Sequence, residues 1–277
     1  MIPVVIFHYG AHRFLQTAID QATSQGNRVI LLGDNTNAQF KVEHYFFRDY
    51  SKRADTFRPR YIWMTTDPPE SNIFNTLRYP MLLEFMERHD LDKVFTCDSD
   101  IMLYCNVAEE ERDLGNYLAA YDIPKNQSGV RNVAMGNGYW TRQGLIMFCD
   151  FLYEAYTQHR WLEKMRYQWE WHVRNRVPGG ISEMTTLAFF TSLHKQEIVN
   201  ISRVLAGNKT FDHAISTPEN YEPREYETVQ KWGWTIKNIQ WIGNNPHCHN
   251  LVRGGPVRFC SLHFQGGRKR LMEEYRR

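Results

Sequence analysis

Pro3-Val4-Val5-Ile6-Phe7-His8-Tyr9-Gly10 opens the chain with a β-branched, apolar run that breaks at a loop, and an amphipathic stretch from Phe14 to Gln25 follows. Arg28-Val29-Ile30-Leu31-Leu32-Gly33-Asp34 then repeats the first pattern and stops at a turn. A short continuous apolar run bounded by turn residues reads as a strand buried on both faces, and the segment between the two runs has the spacing of a helix ended by Gly26-Asn27. Strand, helix and strand in this order imply a parallel pair with the helix crossed over it. The fold class expected is therefore α/β, with a Rossmann-like, mostly parallel central sheet flanked by helices.

Working outward, a helix carrying apolar Leu77, Met81, Leu82, Phe85 and Met86 runs towards His89-Asp90. Lys93-Val94-Phe95-Thr96-Cys97 forms the next strand and delivers Asp98-Ser99-Asp100 at its carboxyl end, where ligands bind in open α/β sheets. Gly144 to Gln158, Trp161 to Arg174 and Ser182 to Leu193 read as helices, with Pro178-Gly179-Gly180 as a break. Gly207 to Pro256 reads as turn-rich, Arg258 to Leu262 as a last strand, and Gly267 to Arg277 as a basic terminal helix. At 277 residues the chain is expected to form one domain, 1–277.

Composition narrows the function classes. A chain 42% hydrophobic and 14% aromatic can fill a packed interior, which excludes disorder. The net charge of +2 supplies no field that would call for nucleic acid or an anionic membrane as partner, so any anion site is local. The apolar start is too short for a transmembrane segment and has no basic flank, so the protein is expected to be soluble and unexported. Five cysteines without close repeated spacing suit thiols in a reducing compartment, and the expected location is the cytoplasm.

In an extended segment residues i and i+2 point the same way, so Asp98 and Asp100 are expected to turn both carboxylates to one cation, with Ser99 facing elsewhere. Mg²⁺ or Mn²⁺ held by one or two carboxylates and substrate phosphates fits that pair. A solvated turn explains the pair equally well. The second element is His263-Phe264-Gln265-Gly266-Gly267-Arg268-Lys269. His263 offers a nitrogen ligand that shifts preference towards Mn²⁺, Gly266 and Gly267 let backbone N–H groups approach a phosphate, and Lys269 neutralises a diphosphate. Its bland alternative is a helix start with a core histidine and a solvated basic face.

The D-x-D after an apolar strand, joined to a late H-x-x-G-x-x-K, resembles the metal and diphosphate signature of GT-A glycosyltransferases, and the second motif is similar to that of glycogenin-like enzymes. The likeness extends over Ile2 to His8, Leu31 to Asp34, Arg78, Asn137-Gly138, Ser182 to Leu187 and Ser261 to Gly266. The chain also resembles transferases that large algal viruses encode to decorate their capsids, which would place it in host cytoplasm.

The resemblance implies a metal site of Asp98, Asp100 and His263, and a nucleotide-binding half, 1–100, followed by an acceptor half, 101–277. His8, Tyr9 and Asp34 would line the nucleoside pocket, with Gly10 and Ser99 in the same donor-binding set. Arg78 would approach the nucleotide or donor sugar, and Asn137 and Gly138 would border the sugar. Against these stand strand-end capping for Asp34, an intrahelical pair with Glu84 for Arg78 and an ordinary turn for Asn137-Gly138. The implied activity is transfer from a UDP-sugar, UDP-xylose among the candidates, to a glycan or glycoprotein hydroxyl.

Glu183 opens a helix where inverting members of the group place an acidic base, and it would take the acceptor proton. An acidic residue in a first helical turn is also favoured by the helix dipole alone. The glycogenin-like ending points to retention instead. Trp232-Gly233-Trp234 is the loop expected to stack an acceptor sugar. His247-Cys248-His249 with Cys260 and His263 lacks the paired spacing of a structural zinc site. A haloacid-dehalogenase-like phosphatase is disfavoured because Asp98 lies deep in the chain. The remaining alternative is a sugar- or nucleotide-binding protein of the same fold without turnover.

Overall fold

The computed structural model describes residues 1–123, 125 and 136–277. The first hundred residues form β1 (Val4–Phe7), α1 (Arg13–Ser24), β2 (Val29–Gly33), β3 (Glu43–Phe46), α2 (Lys52–Phe57), α3 (Pro69–Arg88) and β4 (Lys93–Cys97). Next come β5 (Ile101–Leu103), α4 (Val107–Glu110), β6 (Ala119–Tyr121), β7 (Asn137–Thr141), α5 (Arg142–Ala155), α6 (His159–Asn175), α7 (Glu183–Leu193) and β8 (Ile198–Asn200). The remainder contains β9 (Lys209–Phe211), β10 (Thr228–Lys231), β11 (Trp234–Lys237), β12 (Gln240–Ile242), β13 (Asn245–His249) and β14 (Pro256–His263), and it closes in a 3₁₀ helix, Gly266–Tyr275.

The central sheet has seven strands in the order β3-β2-β1-β4-β7-β6-β8. Neighbours are parallel except where β7 pairs with β4 and β6, so one strand runs against the rest. Both faces are covered. Val5, Ile30 and Leu32 enter the core on one side with α3 and α5, while Val4, Ile6 and Leu31 enter the core on the other with α1. That is why β1 and β2 are continuous apolar runs and not alternating ones. Helix α1 buries Leu15, Ala18, Ile19 and Ala22, an i, i+3, i+4, i+7 stripe, against this face.

A second sheet, β12-β13-β14-β5 with β9 alongside β14, packs at the carboxyl edge of the first. The reading of Gly207–Pro256 as turns is corrected here: β9 to β13 all lie in it, including the β10–β11 hairpin. These strands are three to five residues long and carry no apolar run, so their pairing comes from tertiary contacts. The basic end is likewise not a solvated α-helix. Leu271, Met272 and Tyr275 of the 3₁₀ helix are buried against the third core with Phe259 and Phe264. Among the described residues no helix is long and apolar enough to cross a membrane.

Candidate active site

At the end of β4 the chain does not stay extended. The Ile101 N–H donates to the Asp98 carbonyl at 3.1 Å, so Asp98 to Ile101 is a turn that carries the chain from the large sheet into β5 of the small one. The expected strand alternation is therefore not what aligns the two carboxylates. They converge through that turn and through β14, which pairs antiparallel with β5 so that His263 lies opposite Ile101. The Phe264 N–H donates to the Asp100 carbonyl at 2.9 Å and locks the register. As a result, ligand atoms of Asp98, Asp100 and His263 lie within 4.8 Å of one another.

The donor set suits a divalent cation. His263 Nδ1 is 2.8 Å from the His213 carbonyl, which can only accept, so in the neutral ring the proton sits on Nδ1 and the Nε2 lone pair faces Asp100 Oδ1 at 3.4 Å. Burial lowers the basicity of this ring, but Asp100, Asp98 and Asp212 outweigh it and raise its pKa. Lys269 Nζ stands 3.2 Å from Asp100 Oδ2 and lies over the Phe14 ring. Burial alone would raise the Asp100 carboxyl, and the contacts of His263 and Lys269 reverse this, leaving it below the usual carboxylate range.

Arg78 on α3 spans the other side. Its Nη1 is 2.8 Å from Asp98 Oδ1 and its Nη2 is 3.7 Å from Glu183 Oε1, whereas Glu84 pairs with Arg88. The intrahelical alternative for Arg78 is thus replaced by a bridge between two candidate functional carboxylates. Ser182 caps α7 with its side chain on the Met184 N–H, in a capping box with Thr185, and this aims Glu183 inward with 7% of its side chain exposed. Burial raises the pKa of Glu183 against the pull of Arg78, and it raises Asp98 in the same way.

Several supporting residues carry no local sequence signal. Asp212 Oδ2 accepts the His263 N–H at 3.0 Å, and Asp212 Oδ1 is 2.9 Å from Lys237 Nζ in an ion pair with both side chains fully buried. His213, whose carbonyl holds the His263 ring, is itself 2.8 Å from Asp122 Oδ2. The Gly136 carbonyl accepts the Asp98 N–H at 2.6 Å, and a Cβ on Gly136 would come within 2.9 Å of the His263 ring. Only the adjacency of Asp212 and His213 hints at this layer.

The nucleotide-side candidates gather at the ends of β1 and β2. His8 is buried beside His12 at 2.9 Å, and burial, with the His12 and Lys269 charges, pushes its pKa down to about 4. Asp34 accepts the N–H groups of Gly10, Thr36 and Asn37, so it organises both loops. Tyr9 is 68% exposed and borders a cleft of about 310 Å³ with Asp34, Phe47 and Arg48. Phe47, Arg48 and Phe74, which packs on Phe47, were not singled out by sequence.

Asn137 and Gly138 are not a turn but buried positions of β7, paired with Cys97 and Thr96. The Asn137 Oδ1 has no hydrogen-bond partner among the described residues. Ser99 is buried in the Asp98 turn. Gly266 has φ +61° and no crowding, and Gly267 packs on Trp234, which places that indole beside the Gly266-Gly267 loop. Trp232 lies farther along, with Nε1 3.4 Å from Glu274 of the 3₁₀ helix. Cys260 belongs to a separate buried group with Cys105 and Glu110, whose carboxylate is held by Lys209 and Arg258.

No family model and no curated protein matches the sequence. Among solved structures, the fold is that of GT-A glycosyltransferases. Mouse xyloside xylosyltransferase 1 superposes with a TM-score of 0.50 at 6% identity, over 72% of this chain and 84% of that one. The bifunctional glycosyltransferase WbbM aligns with a TM-score of 0.48 at 10% identity, over 79% and 40% of the two chains. An active-site mutant of LgtC gives 0.41 at 13% identity, over 72% of each chain. At 6% identity the likeness to the xylosyltransferase shows the fold alone, a helix-flanked and mostly parallel sheet.

Proposed function

We propose that the chain is a metal-dependent glycosyltransferase that moves a sugar from a nucleotide diphosphate sugar, UDP-linked in our reading, to a hydroxyl of a glycan or glycoprotein. The convergence of Asp98, Asp100 and His263 within 4.8 Å at the end of β4 carries this reading. A bound divalent cation, Mn²⁺ or Mg²⁺, would stabilise charge on the departing diphosphate. Lys269 adds a positive charge on the same side, and Gly266 leaves the backbone open to a phosphate, with Gly267 packed on Trp234. His8, Tyr9, Gly10 and Asp34 form the nucleoside end, with Asn137 and Gly138 towards the sugar. UDP-xylose is one donor to test among several.

In this reading Glu183 takes the acceptor O–H proton while the acceptor oxygen bonds to the anomeric carbon and the bond to the diphosphate oxygen breaks, which gives inversion. Its raised pKa strengthens it as a base. The H-x-x-G-x-x-K ending keeps retention as the competing stereochemistry. The five unpaired thiols support a reducing, cytoplasmic setting. A second reading, a nucleotide- or glycan-binding protein without turnover, is favoured by one observation: Glu183 is 7% exposed and engaged by Arg78.

Calorimetry with UDP and Mn²⁺, together with nucleotide release from a UDP-sugar panel, decides between them. Asp100→Ala and His263→Ala are expected to remove metal-dependent UDP binding with the fold intact. Unchanged UDP–Mn²⁺ affinity in either variant sinks the assignment, and UDP binding without nucleotide release selects the binding protein.

A further inference from the structure

Two of the tryptophans are more than half exposed, Trp63 at 52% and Trp232 at 71%. Trp232 sits at the tip of the β10–β11 hairpin against the terminal 3₁₀ helix. Trp63 lies in Tyr61–Asp67, the segment before α3, and this segment is tied to the loop that leads into Glu183. The Ile181 N–H donates to the Met64 carbonyl at 2.8 Å, the Thr66 N–H to the Gly179 carbonyl at 3.0 Å, and the Gly179 N–H to Thr66 Oγ1 at 2.8 Å. A Cβ on Gly180 would fall 2.3 Å from the Met64 carbonyl, so this close approach requires glycine.

The indole is anchored from within the segment. Trp63 Nε1–H donates to the Asp67 carbonyl at 3.1 Å, so the one polar atom of the ring is satisfied and the exposed ring face is purely apolar. Thr66 and Asp67, the latter holding the indole through its carbonyl, are both exposed and carry a hydroxyl and a carboxylate in the same segment. Tyr61 and Asp67 stand near enough to Glu183 to interact with its charge, and Tyr61, its pKa pushed up to about 12 by burial and then by Glu183 and Asp67, stays protonated and donates to Asn72 Oδ1. A flat apolar face with a polar rim is the complement of a pyranose ring, which has an apolar C–H face edged by hydroxyls.

We propose that Trp63 is the stacking platform for the acceptor sugar, a pyranose laid on the indole with its hydroxyl rim towards Thr66 and Asp67, on the Glu183 side of the site. This rests on the glycosyl-transfer reading above and moves the acceptor from the Trp232-Gly233-Trp234 hairpin to the opposite lip. The test uses the whole chain labelled with ¹⁵N, the Trp63 indole signal being identified by its loss in Trp63→Phe. Methyl pyranosides of glucose, galactose, mannose and xylose are titrated without nucleotide. At least one is expected to shift the Trp63 signal saturably and leave Trp232 in place. Trp63→Ala should weaken that glycoside about tenfold by calorimetry, with UDP–Mn²⁺ affinity unchanged.

A Trp63 signal that none of the glycosides moves, a shift at Trp232 instead, or unaltered affinity in Trp63→Ala each overturns the platform. Because the glycoside titration involves no nucleotide, failure of UDP–Mn²⁺ binding in the unmodified chain would sink the transfer reading separately.

Discussion

In the large sheet β2 is apolar and buried throughout, and β1 nearly so, with helices on both faces, whereas β12 and β13 of the small sheet leave Gln240, Trp241, Asn245 and His247 wholly or partly open to solvent. The large sheet, at its carboxyl edge, presents Asp98 together with Arg78 and Glu183 from the helices packed on it. The small sheet contributes His263 and, behind it, the buried Asp212–Lys237 pair. In the proposed reading the acceptor base lies on one side of the junction, and the support for His263 as a cation ligand lies on the other. Neither sheet holds the whole candidate site, and Asp98 to Ile101 is one of the chain segments that join the two.

This division can be broken at either side. Glu183→Gln on the large-sheet side should leave UDP–Mn²⁺ affinity intact and cut transfer about 10²–10⁴-fold, measured as nucleotide release with acceptor present. Near-normal turnover would take the base away from Glu183. On the small-sheet side, Asp212→Asn strands the Lys237 charge and should cost roughly 3–5 kcal/mol in denaturant unfolding. The double variant Asp212→Asn/Lys237→Met should recover much of that stability. Single and double variants of equal stability would mean that the pair does not act as a unit.

His8 sharpens the comparison from the large-sheet end. Its pKa of about 4 lies below the ordinary histidine value of 6.5, so between these pH values the unfolded chain binds the proton and the folded one does not. This contribution is fully present above pH ~6.5 and is lost as pH falls towards ~4, amounting to about 3 kcal/mol. His8→Gln should flatten that part of the stability-against-pH curve, and an unchanged slope would show that the fold does not depress the His8 pKa. The smallest effect is Ser182→Ala, which removes the cap of α7 and should cost about 1 kcal/mol in thermal unfolding. A larger drop in turnover than in stability would show that the cap also aims Glu183.

Legibility followed the same boundary. The β1-α1-β2 unit and the α3-β4 approach to Asp98 are written as apolar runs and helical stretches, and they fold as read. Strands β9 to β13 were missed because short polar strands have no periodicity to detect. Asp98, Asp100 and His263 were recognisable by residue type, but the reason given for the alignment of the two carboxylates was not the one at work. Arg78 was read as approaching the nucleotide or donor sugar, with an intrahelical pair to Glu84 as the alternative, and the fold turns it towards Asp98 and Glu183. Trp63 was not read as a sugar platform, since nothing beside it in the chain marks the Gly179-Gly180 loop as its neighbour.

By itself the sequence determined the doubly wound core, because apolar runs and helical stripes are local patterns whose burial is the dominant driving force for folding. It also determined which residue types were available for a cation and a diphosphate. Only the tertiary structure decided that Asp100 and His263 are neighbours, that Lys237 neutralises Asp212 beneath them, and that Arg78 joins Asp98 to Glu183. Each of these depends on the register of β5 against β14 or on how helices pack over the sheet, and such non-local pairings leave no trace in the spacing of residues along the chain.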